Sequence, residues 1–175
     1  MTHPGDWFDQ IRDVPDYPKA GIVFKDITPL LAHGPAFQAV IAEFVAHLLP
    51  LAPTQVVGVE SRGFIFGAAV AHALGVGLTI VRKPGKLPRV TRRISYALEY
   101  GTDTLEMHAD ALHAQDRAVI IDDVLATGGT AGAVGDLVQA SGATLAGVAF
   151  LLELGFLEGR KKLPADVPIV SLRTI

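Results

Sequence analysis

One passage constrains this chain more than any other. From Ala118 to Gln139 an apolar run meets two carboxylates, then a loop of small residues, then a helix-forming stretch. Ala118 to Ile121 reads as a buried strand and Ala131 to Gln139 as a helix that opens near Thr130. Thr127, Gly128, Gly129 and Thr130 set bare amides and hydroxyls at that helix N-terminus. Unpaired amide donors and the positive end of the helix dipole both favour an anion there, and the glycines let the backbone curl close around it. No lysine follows the glycines, so this is not a Walker loop, and the spacing is not G-x-G-x-x-G. Asp122 and Asp123 could accept from the paired hydroxyls of a ribose or help hold a magnesium ion; the other reading is that they bond the loop's own amides. Consecutive strand residues face opposite ways, so both reach one ligand only if the strand ends at them.

The rest of the chain supplies a frame for that loop. Val56 to Val59, Leu78 to Arg82 and Thr144 to Leu152 read as further strands, Phe64 to Leu74 as a helix, and Gly142 as the left-handed stop after the second helix. Strands without alternation, each separated by a helix, predict an α/β fold: a parallel sheet flanked by helices, with the ligand beyond the strands' carboxyl ends. The 175 residues suit one domain. Two segments break the rhythm. The N-terminal third holds Pro15, Pro18, Pro29 and Pro35, with a helix expected from Pro35 to Leu49. Pro84 to Thr104 is a long, weakly periodic connection, of the kind that forms a lid or a disordered excursion.

Composition removes several chemistries. The absence of cysteine excludes disulfides, thiolate zinc sites and cysteine nucleophiles, and fits a reducing cytoplasm. The six histidines show no metal-ligand spacing, His72 reads as a packing residue, and Ser61 and Ser95 lack a nucleophile elbow. Met1 to Gln10 lacks a signal pattern, and Trp7 and Phe8 are expected to anchor this end on the core. Phe64 to Val81 is apolar enough to suggest a membrane span, but Gly75 and Gly77 divide it into helix and strand, so a soluble protein is expected. A net charge of −3 argues against a nucleic-acid partner. Within that balance, Arg82 to Arg93 gathers six basic residues and no acidic one, either as solvated surface or as a site for a polyanion.

Taken as an ordered string, Ile120 to Thr130 resembles the phosphoribosyl pyrophosphate signature of type I phosphoribosyltransferases. Val14-Pro15-Asp16-Tyr17-Pro18, Gly21 to Thr28, Glu60 to Gly67, Arg82 to Pro88 and Ser95 to Gly101 resemble, in order, segments of the adenine phosphoribosyltransferases. That resemblance implies the type I phosphoribosyltransferase fold with a hood made from about residues 1–34 and 84–104. It implies transfer of a phosphoribosyl group from 5-phospho-α-D-ribose 1-diphosphate to adenine, giving AMP and diphosphate. Asp122, Asp123, Ala126, Thr127, Gly128, Gly129 and Thr130 would hold ribose and 5-phosphate, and Ser61, Arg62, Arg82, Lys83 and Lys86 the diphosphate, with Mg2+. Glu99 would be the general acid and Tyr100 would close over the ligand, because the cation-like ribosyl state must be kept from water. Val23, Phe24, Lys25 and Leu154 would take the adenine. A homodimer in the cytoplasm is implied as well. Lys25, Val14 and Ala20 stand where the family commonly has Arg, Phe and Pro, which leaves base specificity open between adenine and xanthine or hypoxanthine. A non-catalytic purine or ribose-phosphate sensor is the reading from another class, and the retained Glu99 and Tyr100 argue against it.

Overall fold

Continuous apolar runs build the centre of the molecule, as their lack of alternation predicts. The structure, a computed structural model, describes residues 6–97 and 101–175. The chain divides into two units, Met1–Glu43 and Phe44–Ile175. In the smaller unit, β1 (Arg12–Pro15) and β2 (Val23–Asp26) form an antiparallel hairpin, followed by α1 (Thr28–Ala32) and the start of α2 (Gly34–Leu48). The Trp7 indole N–H donates to Glu43 Oε2 at 2.8 Å and Trp7 is buried, so it anchors its end of the chain as expected. In α2 the side chains of Ala36, Val40, Phe44 and Leu48 are buried, a stripe repeating every four residues. Gly34 to Leu51 would suit a membrane span by length and composition, but a one-sided stripe opposite exposed Gln38 and His47 is the pattern of a core helix.

The larger unit holds β3 (Gln55–Val59), α3 (Gly63–Leu74), β4 (Gly77–Val81), β5 (Thr91–Ala97), β6 (Thr102–His108), β7 (Arg117–Leu125), α4 (Gly129–Ala140), β8 (Thr144–Glu153) and β9 (Ile169–Thr174). Five strands form one parallel sheet in the order β4-β3-β7-β8-β9. Nine of the ten residues of β8 are buried, which is why that strand reads as an unbroken apolar run. Each fully buried Val, Leu or Ile contributes about 1.5–3 kcal/mol relative to exposure. Phe64 to Val81 is indeed divided at Gly75, which caps α3 with φ +69° before β4 begins.

Two expectations change. Pro84 to Thr104 does not run as an aperiodic excursion: β5 and β6 pair in an antiparallel hairpin in register from Thr91↔His108 to Ala97↔Thr102. The second change concerns the key strand. β7 does not stop before the carboxylates but continues through them, with Asp122 opposite Phe150 and Leu125 opposite Glu153.

From β3 the chain steps through α3 to β4 on one side, and from β7 it steps through α4 to β8 on the other. Right-handed crossovers running in opposite directions put their helices on opposite faces of the sheet. Between β3 and β7 the order reverses, the place where open α/β sheets take ligands beyond the strands' carboxyl ends.

Candidate active site

The loops that leave β3, β4 and β7 carry nearly all the expected anion-binding residues, and these strands are neighbours in the sheet. Arg62 follows β3 and Asp123 lies on β7; they meet across the reversal point, with Nη2 and Oδ2 2.5 Å apart. Gly63 makes this approach possible. A Cβ there would lie 2.8 Å from Asp122 Oδ1 and 2.9 Å from the Ile121 carbonyl oxygen. The first turn of α3 therefore lies against β7, with exposed Ser61 just ahead of it.

Because β7 continues through both aspartates, the two carboxylates have different surroundings. Asp122 lines a cavity of about 80 Å³ together with Val124 to Ala131 and Phe150. The cavity opens at the N-terminus of α4, where unpaired amides favour an anion. Asp123 is buried and holds Arg62, and its backbone N–H donates to Asp122 Oδ1 at 2.9 Å. Burial and the adjacent Asp123 charge push the Asp122 carboxyl well above the usual carboxylate range. The pair is thus divided: Asp122 lines the cavity and Asp123 pairs with Arg62, and the two side chains still bond each other although β7 continues through them.

The loop itself is shaped as the glycines require. Gly128 caps α4 in the left-handed region, φ +79°, with no side-chain cap on the helix among the described residues. Its flank is closed by backbone: a Cβ at Gly128 would sit 2.1 Å from the Gly159 carbonyl oxygen, and one at Gly159 would sit 2.2 Å from the Ala126 carbonyl oxygen. The turn Gly159–Lys162 is pinned in turn by Arg160, whose guanidinium reaches Glu153 Oε1 and Oε2 at 2.7 Å each through Nε and Nη2 and the Ile169 carbonyl at 3.1 Å. The Arg160 hydrogen bonds hold the Glu153 carboxylate below its usual range despite its burial. The reading of the sequence missed this brace, although a charged residue closing the apolar run of β8 was a signal for it.

A second carboxylate that the sequence reading passed over organises the basic turn. Glu60 accepts from Arg82 Nε at 3.1 Å, from the Lys83 backbone N–H at 3.0 Å and from Lys86 Nζ. Burial pushes its pKa up, but these hydrogen bonds outweigh it and hold the carboxylate below its ordinary value. Arg82 also lies over the Phe64 ring, 5.8 Å from its centroid. Two of the six cations, Arg82 and Lys86, thus gather at Glu60 beside the Arg62 loop, while the Lys83 ammonium pairs with Asp103 Oδ2 at 2.9 Å. Arg89 pairs with Asp110 and Arg93 with Glu106, so these two serve the surface and the hairpin. Glu106, 1% exposed, also accepts from the Gly85 N–H at 2.9 Å and the Thr91 hydroxyl at 3.2 Å, joining the basic turn to the root of the β5–β6 hairpin.

Of the expected adenine contacts, Val23, Phe24 and Lys25 lie on β2 in the smaller unit. Phe24 meets Tyr17 edge-on at 5.1 Å, and Lys25 Nζ bonds Asp13 Oδ1 at 2.6 Å. Leu154 lies in the larger unit just past β8, its N–H donating to the Leu125 carbonyl at 2.9 Å. Glu99 and Tyr100 fall outside the described residues.

Known proteins are similar to this chain in sequence and fold. Residues 30–173 match the phosphoribosyl transferase domain family. An adenine phosphoribosyltransferase of Anaeromyxobacter sp. is 60% identical over 154 residues, covering 88% of this chain and 87% of the relative. The crystal structure of adenine phosphoribosyltransferase from Rhodothermus marinus superposes with a TM-score of 0.91 at 51% identity, covering 95% of each chain. That of the Saccharomyces cerevisiae enzyme, complexed with an imino-altritol bisphosphate and adenine, gives 0.89 at 41% identity, covering 93% of this chain and 94% of that one. By the family match and by these identities and superpositions, the chain belongs to the phosphoribosyltransferase family, among its adenine phosphoribosyltransferases.

Proposed function

We infer that the chain transfers the 5-phosphoribosyl group of 5-phospho-α-D-ribose 1-diphosphate to adenine, giving AMP and diphosphate and so salvaging the free base. The observation that carries this is the convergence at one sheet reversal of a small cavity at a helix start with Arg62 and the basic turn around Glu60. The loop Ala126 to Thr130 holds the 5-phosphate, and Asp122 and Asp123 serve the ribose side. As the bond from the ribose carbon to diphosphate breaks, its electron pair leaves with the diphosphate. Arg62, Arg82, Lys83 and Lys86, with amides near Ser61, meet that growing charge; cations already in place need no reorganisation at the moment of reaction. The adenine nitrogen forms the new bond to the same carbon and loses its proton, and Glu99 is the proposed proton acceptor, beneath a lid that includes Tyr100. Phe24 is proposed to stack on the base, Val23 and Lys25 to read its edge, and Leu154 to contact it.

Magnesium is proposed as the cofactor. No three metal-ligating side chains converge among the described residues, but an adjacent carboxylate pair fits Mg2+, which binds through one or two carboxylates plus substrate oxygens. Asp122 and Asp123 are the residues that would hold its shell, and when bound it neutralises charge on the departing diphosphate.

A cytoplasmic homodimer is proposed too. Phosphorylated substrates do not cross membranes unaided, which favours the compartment where they are made. Ile65 on α3 and Leu78 on the edge strand β4 are each 40% exposed, on neighbouring elements, which supports a self-association surface. Sedimentation velocity should give twice the mass of one chain, and Leu78→Asp should shift it toward one; a wild type that sediments as a single chain removes the dimer.

The activity is tested by incubating the protein with 5-phospho-α-D-ribose 1-diphosphate, magnesium and one base at a time. Diphosphate should be released with adenine and not with xanthine, hypoxanthine or orotate. No release with adenine overturns the assignment.

A further inference from the structure

Among the described residues the buried carboxylates are Glu106, Asp123 and Glu153. Asp123 and Glu153 belong to the surroundings of the loop Ala126 to Thr130, whereas Glu106, 1% exposed, takes no part in the proposed reaction. Stability alone is a weak reason to keep it, since an apolar side chain of similar size often serves a buried ion-pair position as well or better. Its partners show what it does. Oε2 accepts from the Thr91 hydroxyl at 3.2 Å and from Arg93 Nε at 2.9 Å, both on β5, while Oε1 accepts from the Gly85 N–H at 2.9 Å. The Glu106 main chain pairs with Arg82 in both directions: its carbonyl accepts from the Arg82 N–H at 2.9 Å, and its N–H donates to the Arg82 carbonyl at 2.7 Å. One residue thus holds both ends of the turn from Arg82 to Gly85. Between them the Lys83 N–H donates to Glu60 Oε2 at 3.0 Å, and Pro84 has no N–H. Every backbone donor of that turn is therefore occupied, and an anion arriving there meets side chains alone. The start of α4 is different, because no side chain caps its amides among the described residues.

We propose that Glu106 is a positioning residue for the diphosphate: by taking the Gly85 N–H and pairing with Arg82 it fixes the turn, so that Arg82, Lys83 and Lys86 present their cations as a set. This rests on the reading of that turn as the diphosphate seat. Glu106 acts through the turn and touches no ligand itself. In the free protein Arg82 and Lys86 rest on Glu60 and the Lys83 ammonium on Asp103, and each cation has further N–H groups to give. With the backbone fixed beforehand, less ordering is left to be done when the anion binds.

Calorimetric titration of wild type and variants with magnesium diphosphate, and separately with ribose 5-phosphate, tests this. Glu106→Leu removes both oxygens and should raise the Kd for magnesium diphosphate about tenfold, because rotamer-rich cations must then be ordered on binding. Glu106→Gln keeps a carbonyl oxygen for the Gly85 N–H and should raise it only about threefold. The ribose 5-phosphate Kd should stay constant in both. In steady-state assays Glu106→Leu should raise KM for 5-phospho-α-D-ribose 1-diphosphate to a similar extent, with kcat and the adenine KM nearly constant. Thr91→Val combined with Arg93→Gln strips Oε2 of its hairpin partners and leaves Oε1 to Gly85. That double variant should lower Tm without moving the diphosphate Kd, which separates the proposed role from weakening of the hairpin. Hydrogen exchange followed by NMR reads the bond itself: the Gly85 amide should be protected in wild type and in the double variant, and exposed in Glu106→Leu. A Gly85 amide that exchanges freely in wild type overturns the proposal whether or not Glu106→Leu folds. So does an unchanged diphosphate Kd in Glu106→Leu, or an equal loss in the double variant. A wild type that binds no magnesium diphosphate would overturn the functional reading of the turn, and this role of Glu106 with it.

Discussion

Gly128→Ala should raise KM for 5-phospho-α-D-ribose 1-diphosphate about a hundredfold, the scale of loss that a displacement of about 1 Å causes at a positioned site. Two separate costs meet at this residue. A non-glycine residue in the left-handed region carries about 1–3 kcal/mol of strain, and Gly128 sits at φ +79°. Its Cβ would also lie 2.1 Å from the Gly159 carbonyl oxygen, which is backbone and cannot be relieved by a rotamer change. The turn behind it is held by the Arg160–Glu153 pair, so the movable partner is the loop Ala126 to Thr130. Gly75→Ala separates the two costs. That position has φ +69° and nothing within 4 Å of a Cβ, so it should lower Tm by a few degrees and leave KM alone. Initial-rate kinetics and thermal melts on both variants check this, and a Gly128→Ala enzyme with wild-type KM contradicts the role given to the loop.

The brace behind Gly128 also shows where reading the sequence stops. The string from Ile121 to Thr130 announced an anion seat, because glycines, hydroxyls and a helix start each have a local reason to be there. Strands β3, β7 and β8 were legible for a similar reason: burial on both faces leaves a continuous apolar run. By contrast β4, an edge strand with Leu78 exposed, was legible from its β-type residues alone. β9 was not, because Ile169-Val170-Ser171-Leu172-Arg173-Thr174 is only part buried at the sheet edge and mixes polar with apolar positions. The hairpin β5–β6 was passed over as weakly periodic. Its arginines hid the pattern, and one of them, Arg93, is there to meet Glu106. Glu60, Glu106, Glu153 and Arg160 act through partners 7 to 26 residues away, and such pairings leave no spacing for a single sequence to display. What a sequence can show is a charged residue closing an apolar run, as Glu60 does after Val59 and Glu153 after Leu152.

The extension of β7 through the carboxylates has a consequence of opposite sign for two adjacent residues. Asp122→Asn should stabilise the free protein, by about 1 kcal/mol, while Asp123→Asn should destabilise it by a similar amount. Asp122 is costly to ionise, through burial and the neighbouring charge of Asp123. Its folded pKa is raised above the unfolded value. Its favourable contribution is therefore fully present below the unfolded pKa of about 4 and is lost as pH rises through the raised folded value. Asparagine, shaped like the protonated carboxyl, escapes that loss, so the Tm advantage of Asp122→Asn should grow from pH 4 upward in magnesium-free buffer. Asp123 instead supplies the negative partner of Arg62 at 2.5 Å, and its loss weakens the hold on a guanidinium whose side chain is one third exposed. The full penalty of breaking a buried pair, about 3–5 kcal/mol, is reduced by that exposure. Both variants should nevertheless bind 5-phospho-α-D-ribose 1-diphosphate about 10- to 100-fold more weakly, since each removes a carboxyl group from the proposed ribose side. Thermal melts across pH, paired with calorimetric binding, read both quantities. Melting shifts of the same sign would mean that the two carboxylates share one environment, and the division of roles between cavity and cation would then be wrong.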